Sequence, residues 1–393
     1  MNFCFSSADI LLPKSDMEKW AVIACDQYTS EPEYWENVRN TVGESTPSAL
    51  NVILPEVYLK DDNSKQIESI NSNMDSYLSN DCFEIYNDAM IFVDRVQSDG
   101  KHRLGIIGKI DLTQYDYNPG TNAAVRATEK TVVSRIPPRV LIRKNAALEL
   151  PHVMLLIDDP DLTVIEQTEK KSKNFKTLYD FDLMLGAGHI KGSLIPKEVQ
   201  EEIISSLKML SDKNNGFLFS VGDGNHSLAT AKECYNQNKT ELSRYALVEI
   251  VNIHDSALQF EPIYRIVQTE NTKRLIEGFT NGQYYNGADA QKFICVTKDG
   301  ETEISVKPTS QLAVGTLQEY LDKCDNIEID YIHGVDSLKK LAHKENTVGF
   351  LFDGMKKSEL FPSVASDGSL PRKTFSMGHA DDKRFYIEAR KIR

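Results

Sequence analysis

Apolar positions in this chain gather into short, almost unbroken runs, each closed by turn residues. Residues 20–25, 153–157, 217–221 and 245–253 are of this kind, and such runs read as strands buried in a sheet. Helical periodicity appears elsewhere. Ile67, Ile70, Met74 and Leu78 fall on one stripe of a polar segment and predict a helix within 59–78. Ser30 with Glu33 fits a capping box, and Pro32 suits the first turn of a helix on which Tyr34 and Trp35 open the apolar face. Strand patterns at 89–96 and 104–110 flank Ser98-Asp99-Gly100-Lys101, a hairpin signal, and a second hairpin is expected over 293–306, turning at Asp299-Gly300. Hairpins beside strand–helix units predict an α/β fold on a mixed (α+β) sheet, not a purely doubly wound one.

No internal repeat or low-complexity linker interrupts the chain. Conspicuous polar clusters thin out after about residue 268, so we read a first domain over 1–267 and a second lobe over 268–393. The closing segment, about 370–393, is expected to return to the site. There Lys373 stands beside hydroxyl residues in Leu370-Pro371-Arg372-Lys373-Thr374-Phe375-Ser376, ahead of His379 and the charged run Asp381-Asp382-Lys383-Arg384. A closing edge strand with an exposed lysine is the plainer reading of the same residues.

The stretch 217–235, FLFSVGDGNHSLATAKECY, carries the densest candidate chemistry. An apolar strand breaks at Gly222-Asp223-Gly224-Asn225 before helix formers from Leu228 onward. Glycines let backbone N–H groups turn toward a ligand, and a helix start adds unpaired donors and a positive dipole end, so the turn suits a phosphate. Asp223 and His226 stand beside it, as a metal or hydroxyl ligand and as a proton shuttle or phosphoryl contact. The same letters are also ordinary turn chemistry, with Asn225 as a helix cap. Asp26 ends the run 20–25, where polar groups of α/β folds meet ligands, or else it merely starts a turn.

Residues 125–131, VRATEKT, pack Arg126, Glu129, Lys130 and Thr131 together ahead of Arg135, Arg139 and Arg143. Such a set can clamp phosphates, with Glu129 as a base on a hydroxyl, or form the solvated face of a helix. Asp158 and Asp159 could ligate magnesium or form a turn before Pro160. His254 ends the run 245–253 and reads as structural. Gly186, Gly188 and Gly192 miss the dinucleotide spacing, and no phosphate loop of the GxxxxGK[ST] type occurs.

With 393 residues and 40% hydrophobic content the chain can bury a large core. Its net charge of −13 disfavours broad nucleic-acid binding. Six scattered cysteines without a CxxC pair, and no apolar run long enough for a bilayer, lead us to expect free thiols, no membrane association and a cytoplasmic setting.

The motifs WAVIACDQYTS, VRATEKT, VGDGNHSLATAK and LPRKTFS, in this order, resemble a bacterial and archaeal family catalogued as domain of unknown function 1015. Its members are often labelled as similar to the chromosome-partition protein ParB. The DGNH turn looks like the DGxHR element of the ParB and sulfiredoxin superfamily, which includes free serine kinases. That resemblance implies a ParB/sulfiredoxin-like nucleotide-binding core with additional helices and hairpins. It also implies a kinase that moves a phosphoryl group from ATP or ADP, with Mg2+, to the hydroxyl of free L-serine. Carried over, Gly222, Gly224, Asn225 and Ser227 form the phosphate turn, Asp223 binds magnesium or orients the hydroxyl, and His226 contacts the phosphoryl group. Glu129 becomes the base in an RTHE-like segment, with Arg126, Lys130 and Thr131 beside it, and Asp26 meets substrate or metal. Ser227 stands where the superfamily has Arg, so either Arg126, Arg265 or Lys373 supplies that cation or the site takes a differently charged ligand. Thr128 stands where the segment usually has His. The alternatives are a nucleotide-dependent DNA-binding protein, a metal-dependent phosphohydrolase using Asp223 and Asp158, and a nucleotide sensor without turnover.

Overall fold

The computed structural model describes residues 3–393. The chain divides into two compact units. The first comprises the described residues up to Ala127, then 131–258 and 379–393, and the second 128–130 and 259–378.

The first unit is organised on one sheet. In chain order its strands are β1 (Phe5–Ser6), β2 (Ile91–Val96), β3 (His102–Asp111), β4 (Tyr115–Asp116), β5 (Val125–Ala127), β6 (Met154–Ile157), β7 (Lys176–Asp182), β8 (His189–Leu194), β9 (Phe219–Asp223) and β10 (Tyr245–Asn252). They lie in the order β7-β8-β2-β3-β10-β6-β9-β5-β4, with β1 also on β3. The sheet is mixed, as hairpins beside strand–helix units led us to expect. β10 and β6 run parallel, as do β9 and β5, while β6 pairs antiparallel with β9 and β10 with β3.

Both faces of this sheet are covered. Along β3, Ile106 and Ile110 enter one core and Ile107 the other. Along β10, Ala246, Val248 and Ile250 divide from Leu247 in the same way, because successive side chains of a strand point to opposite faces. Burial on both sides is why these strands read as continuous apolar runs. Of the helices α1 (Pro32–Val42), α2 (Ser64–Ser79), α3 (Ile136–Arg143), α4 (Ile165–Ser172), α5 (Lys197–Lys213) and α6 (Asn225–Gln237), the first two place Trp35, Val38, Ile70 and Met74 in the core that holds Trp20. The last three place Ile165, Ile203, Leu207 and Leu228 in the core that holds Phe219.

Some local expectations differ from what forms. The capping box is not made, since the residue before α1 is Glu31 and no side chain caps that helix. Residues 20–25 give only the short strand Val22–Ile23, after a single helical turn Met17–Trp20. The arginine-rich segment after 125 begins as a short strand, makes a 3-10 turn at Val133–Arg135 and becomes α-helical only at Ile136.

The C-terminal segment closes the unit. Phe385–Tyr386 pairs with Val22–Ile23, and Arg390–Lys391 with Leu148–Glu149. Arg384 Nη1 donates to Glu249 Oε2 at 2.6 Å and Arg390 Nε to Glu149 Oε1 at 2.6 Å, all four side chains being buried. Charges withdrawn from water this far must be paired, and removing one partner is costly.

The second unit is built on β11 (Phe260–Gln268), β12 (Gln291–Thr297), β13 (Gly300–Val306), β14 (Glu328–His333), β15 (Thr347–Phe352) and β16 (Phe375–Met377). The order is β13-β12-β15-β11-β14, with β16 on the first residues of β11. The hairpin expected over 293–306 is β12 and β13, closing at Thr297 and Gly300. Residues 260–267, placed from sequence at the end of a first domain, belong to β11, whose strand partners all lie in this unit. Glu129 joins by a parallel bridge to Leu370. Among the described residues no helix is long and apolar enough to cross a membrane, and the six cysteines are free.

Candidate functional site

β9 ends at Asp223, and α6 begins at Asn225, three positions earlier than the run of helix formers suggests. Gly224 is the hinge between them. It adopts φ 80° and ψ 26°, the left-handed conformation that glycine enters without penalty. A Cβ there would lie 3.0 Å from Val153 Cα. Gly224, not Asn225, thus occupies the cap position and has no side chain to offer the helix. The N–H groups of a first helical turn have no acceptor inside the helix, and the dipole favours an anion in front of them. Gly222 is a strand residue. The β6–β9 register passes from Met154–Asp223 to Leu155–Val221 and skips it, as glycines at strand bulges do.

Asp223 stands at the mouth of this turn. Its Oδ1 accepts the Gly224 N–H at 2.8 Å, and its Oδ2 pairs with Lys383 Nζ at 3.2 Å. Burial would raise this carboxyl, yet Lys383 and His152 outweigh it and hold it below its ordinary value. The buried His152 carries Nδ1 2.8 Å from the Tyr386 hydroxyl and Nε2 3.7 Å from Asp26 Oδ2. Tyr386 also accepts the Cys25 N–H at 3.2 Å, which ties the residues before Asp26 into the same cluster.

His226, in the first turn of α6, has a buried Nε2 with no hydrogen-bond partner among the described residues. Burial, then the charges of Arg139 and Arg135, push it down to about 4 against the opposing pull of Asp26. It is therefore neutral at pH 7. A neutral imidazole with an open nitrogen can accept a proton or, as the other tautomer, donate to an oxygen.

The remaining residues singled out from sequence fall in different places. Arg126, in the first unit, is buried, donates Nε to the Ala123 carbonyl at 2.9 Å and covers the Phe217 ring at 4.2 Å. Thr131, also there, is buried with no hydrogen-bond partner at Oγ1 among the described residues. Ser227 is half-buried in the first turn of α6.

Glu129, Lys130, Arg265 and Lys373 belong to the second unit. Glu129 accepts the backbone N–H groups of Lys373 and Thr374, both at 3.1 Å. Burial raises its carboxyl against those bonds and the charges of Lys373 and Arg265. Arg265 is fully buried. It donates to the carbonyls of Ile263 at 2.6 Å, Lys373 at 2.9 Å and Arg372 at 3.0 Å, and to Gln318 at 2.9 Å. Glu129 and Arg265 thus hold the 371–374 turn from its N–H and its carbonyl side. Lys130 is exposed.

Magnesium was expected at Asp223. Among the described residues no three acidic, histidine or cysteine side chains converge into a metal cage, and both Asp223 oxygens already have partners. A magnesium ion commonly arrives on nucleotide phosphates and needs few protein ligands. Asp158 instead pairs with His254 Nε2 at 2.7 Å.

His152, Lys383 and Tyr386 are the members of this cluster that the sequence reading left out. His152 directly precedes an apolar run, and Lys383 lies in the charged run of the tail. Neither position carries a local signal of its partner.

Fold and site together define a two-unit mixed α/β protein with a polar turn at the end of a buried strand. The chain belongs to the family described as Protein of unknown function (DUF1015), which it matches over residues 7–324. No curated protein sequence matches it. Among solved structures it is similar to a free serine kinase variant in complex with ADP, at 10% identity and TM-score 0.41, covering 72% of this chain and 91% of that one. It is also similar to a conserved hypothetical protein from Pyrococcus furiosus, at 11% identity and TM-score 0.38, covering 71% and 93%. A third is SbnI with a C-terminal truncation from Staphylococcus aureus, at 9% identity and TM-score 0.36, covering 72% and 82%. Nothing about this chain's chemistry follows from likenesses at that level.

Proposed function

We propose that this protein is a small-molecule kinase, transferring the terminal phosphoryl group of ATP or ADP to a hydroxyl, that of free L-serine first among candidates. The observation that carries the reading is the turn at 223–226. There a left-handed glycine opens a helix start beside an ionised Asp223 and a neutral His226 whose buried Nε2 has no hydrogen-bond partner among the described residues. Its resemblance to the DGxHR element points the same way.

In the reaction the acceptor oxygen attacks the terminal phosphorus, the bond to the bridging oxygen breaks to release ADP or AMP, and the hydroxyl proton passes to a carboxylate base or to water. Such a transfer is served mainly by positioning and by neutralising charge on the phosphoryl oxygens. The first turn of α6 would hold those oxygens and His226 would touch them. Asp223 would orient what binds beside it. Glu129 carries the base role only through its motif resemblance, so its own variant decides that part.

The test is to incubate pure protein with ATP or ADP, magnesium and L-serine and to measure O-phosphoserine. We expect product, with Asp223→Asn reducing the rate on the order of 100-fold. Glu129→Gln should cost as much if the carboxylate is the base, and little if it only holds the 371–374 turn. Phosphate release without an acceptor would replace the kinase with a phosphohydrolase. Tight nucleotide binding without turnover would leave a sensor.

A further inference from the structure

The first unit contains two kinds of ion pair between residues distant in sequence. Arg384 and Glu249 are sealed, with side chains 3% and 0% exposed, whereas Lys383 and Asp223, built from the adjacent residue, are 18% and 20% exposed. Lys383 is thus partly accessible where it meets Asp223.

The backbone around Lys383 is clamped. The Asp381 carbonyl accepts from Arg95 Nη2 at 3.0 Å, and that of Asp382 from Arg103 Nη1 at 2.6 Å. The Asp382 carboxylate accepts the N–H of Ser98 at 2.9 Å and its hydroxyl at 3.0 Å. On the other side, the Arg384 carbonyl accepts the Ala24 N–H at 3.0 Å, and Arg384 Nε donates to the Pro151 carbonyl at 3.2 Å. Residues 381, 382 and 384 are thus held by partners from distant parts of the unit, and Lys383 between them reaches Asp223. An ammonium has three donors. One serves Asp223, and the others can serve an anion in front of the α6 start without the lysine leaving its place.

We propose that Lys383 is a ligand-binding cation of this site, contacting the phosphate of a nucleotide held at the 223–226 turn, and that the C-terminal segment is the arm that presents it. The proposal rests on the phosphate-turn reading above. It concerns a residue beyond 324, where the family match ends.

Calorimetric titration of ADP and of adenosine separates this from a purely structural lysine. Asp223→Asn removes the carboxylate and leaves the lysine, and Asp223→Asn with Lys383→Met removes both, so neither variant buries an unpaired aspartate. We expect ADP to bind the double variant about tenfold or more weakly than Asp223→Asn, with adenosine unchanged between them. Equal ADP affinity in the two would overturn the proposal while leaving nucleotide binding intact. A wild-type protein that binds no nucleotide would overturn both this proposal and the function above. Lysine-dependent ADP binding without O-phosphoserine would uphold the lysine and remove only the kinase.

Discussion

His226 shows what a few ångströms of burial do to one imidazole. Its folded value, about 4, lies below the ordinary 6.5, so between these pH values the unfolded chain binds a proton that the folded chain refuses. Stability therefore falls as pH drops through that window and is unaffected above it. After allowance for partial contact with water, the effect is about 1–2 kcal/mol. Thermal melts at pH 7 and pH 4.5 test this, since His226→Gln should lose less stability on acidification than the wild type. An identical acid dependence in the variant would show that the imidazole titrates normally. Arg265 makes the opposite point about single residues. In sequence it is a cation available to a phosphate. In the fold it is enclosed, with three backbone carbonyls and Gln318 as acceptors.

Among the elements, the 371–374 turn depends on those bonds. Arg265→Met would remove the donor from the Ile263, Arg372 and Lys373 carbonyls and from Gln318 and should cost about 3 kcal/mol, measured by denaturant unfolding. Arg265→Lys should rescue little, because an ammonium cannot reach the same acceptors from one point. A loss under about 1 kcal/mol would mean that the turn holds itself.

The same bonds explain what the sequence concealed. Strands were legible because the main sheet is covered on both faces, so Met154–Ile157 and Tyr245–Asn252 stand out as apolar runs. The turn at Asp223 was legible because such a run stops at glycine. The helix start was misplaced because Gly224 caps α6 through its backbone, which letters do not show. Residues 128–130 gave no local sign of leaving the first unit, since their partner is Leu370. His152 and Lys383 reach the site through pairings such as Phe385 with Ile23, and no local pattern encodes a contact between residues that far apart in sequence.

At the scale of the molecule, a chain with net charge −13 has to concentrate positive potential locally if it is to hold a polyanion. In the first unit Lys383 pairs with Asp223 of the 223–226 turn, and the charges of Arg135 and Arg139 act on His226 in it against that of Asp26. On the function proposed above, this bend of main chain receives phosphate oxygens. A crystal structure of the full chain grown with ADP tests it most directly. The expected result is a phosphate with its oxygens about 3 Å from first-turn N–H groups of α6, and Lys383 in contact with it. Nucleotide bound elsewhere, with the turn holding only water, would contradict it.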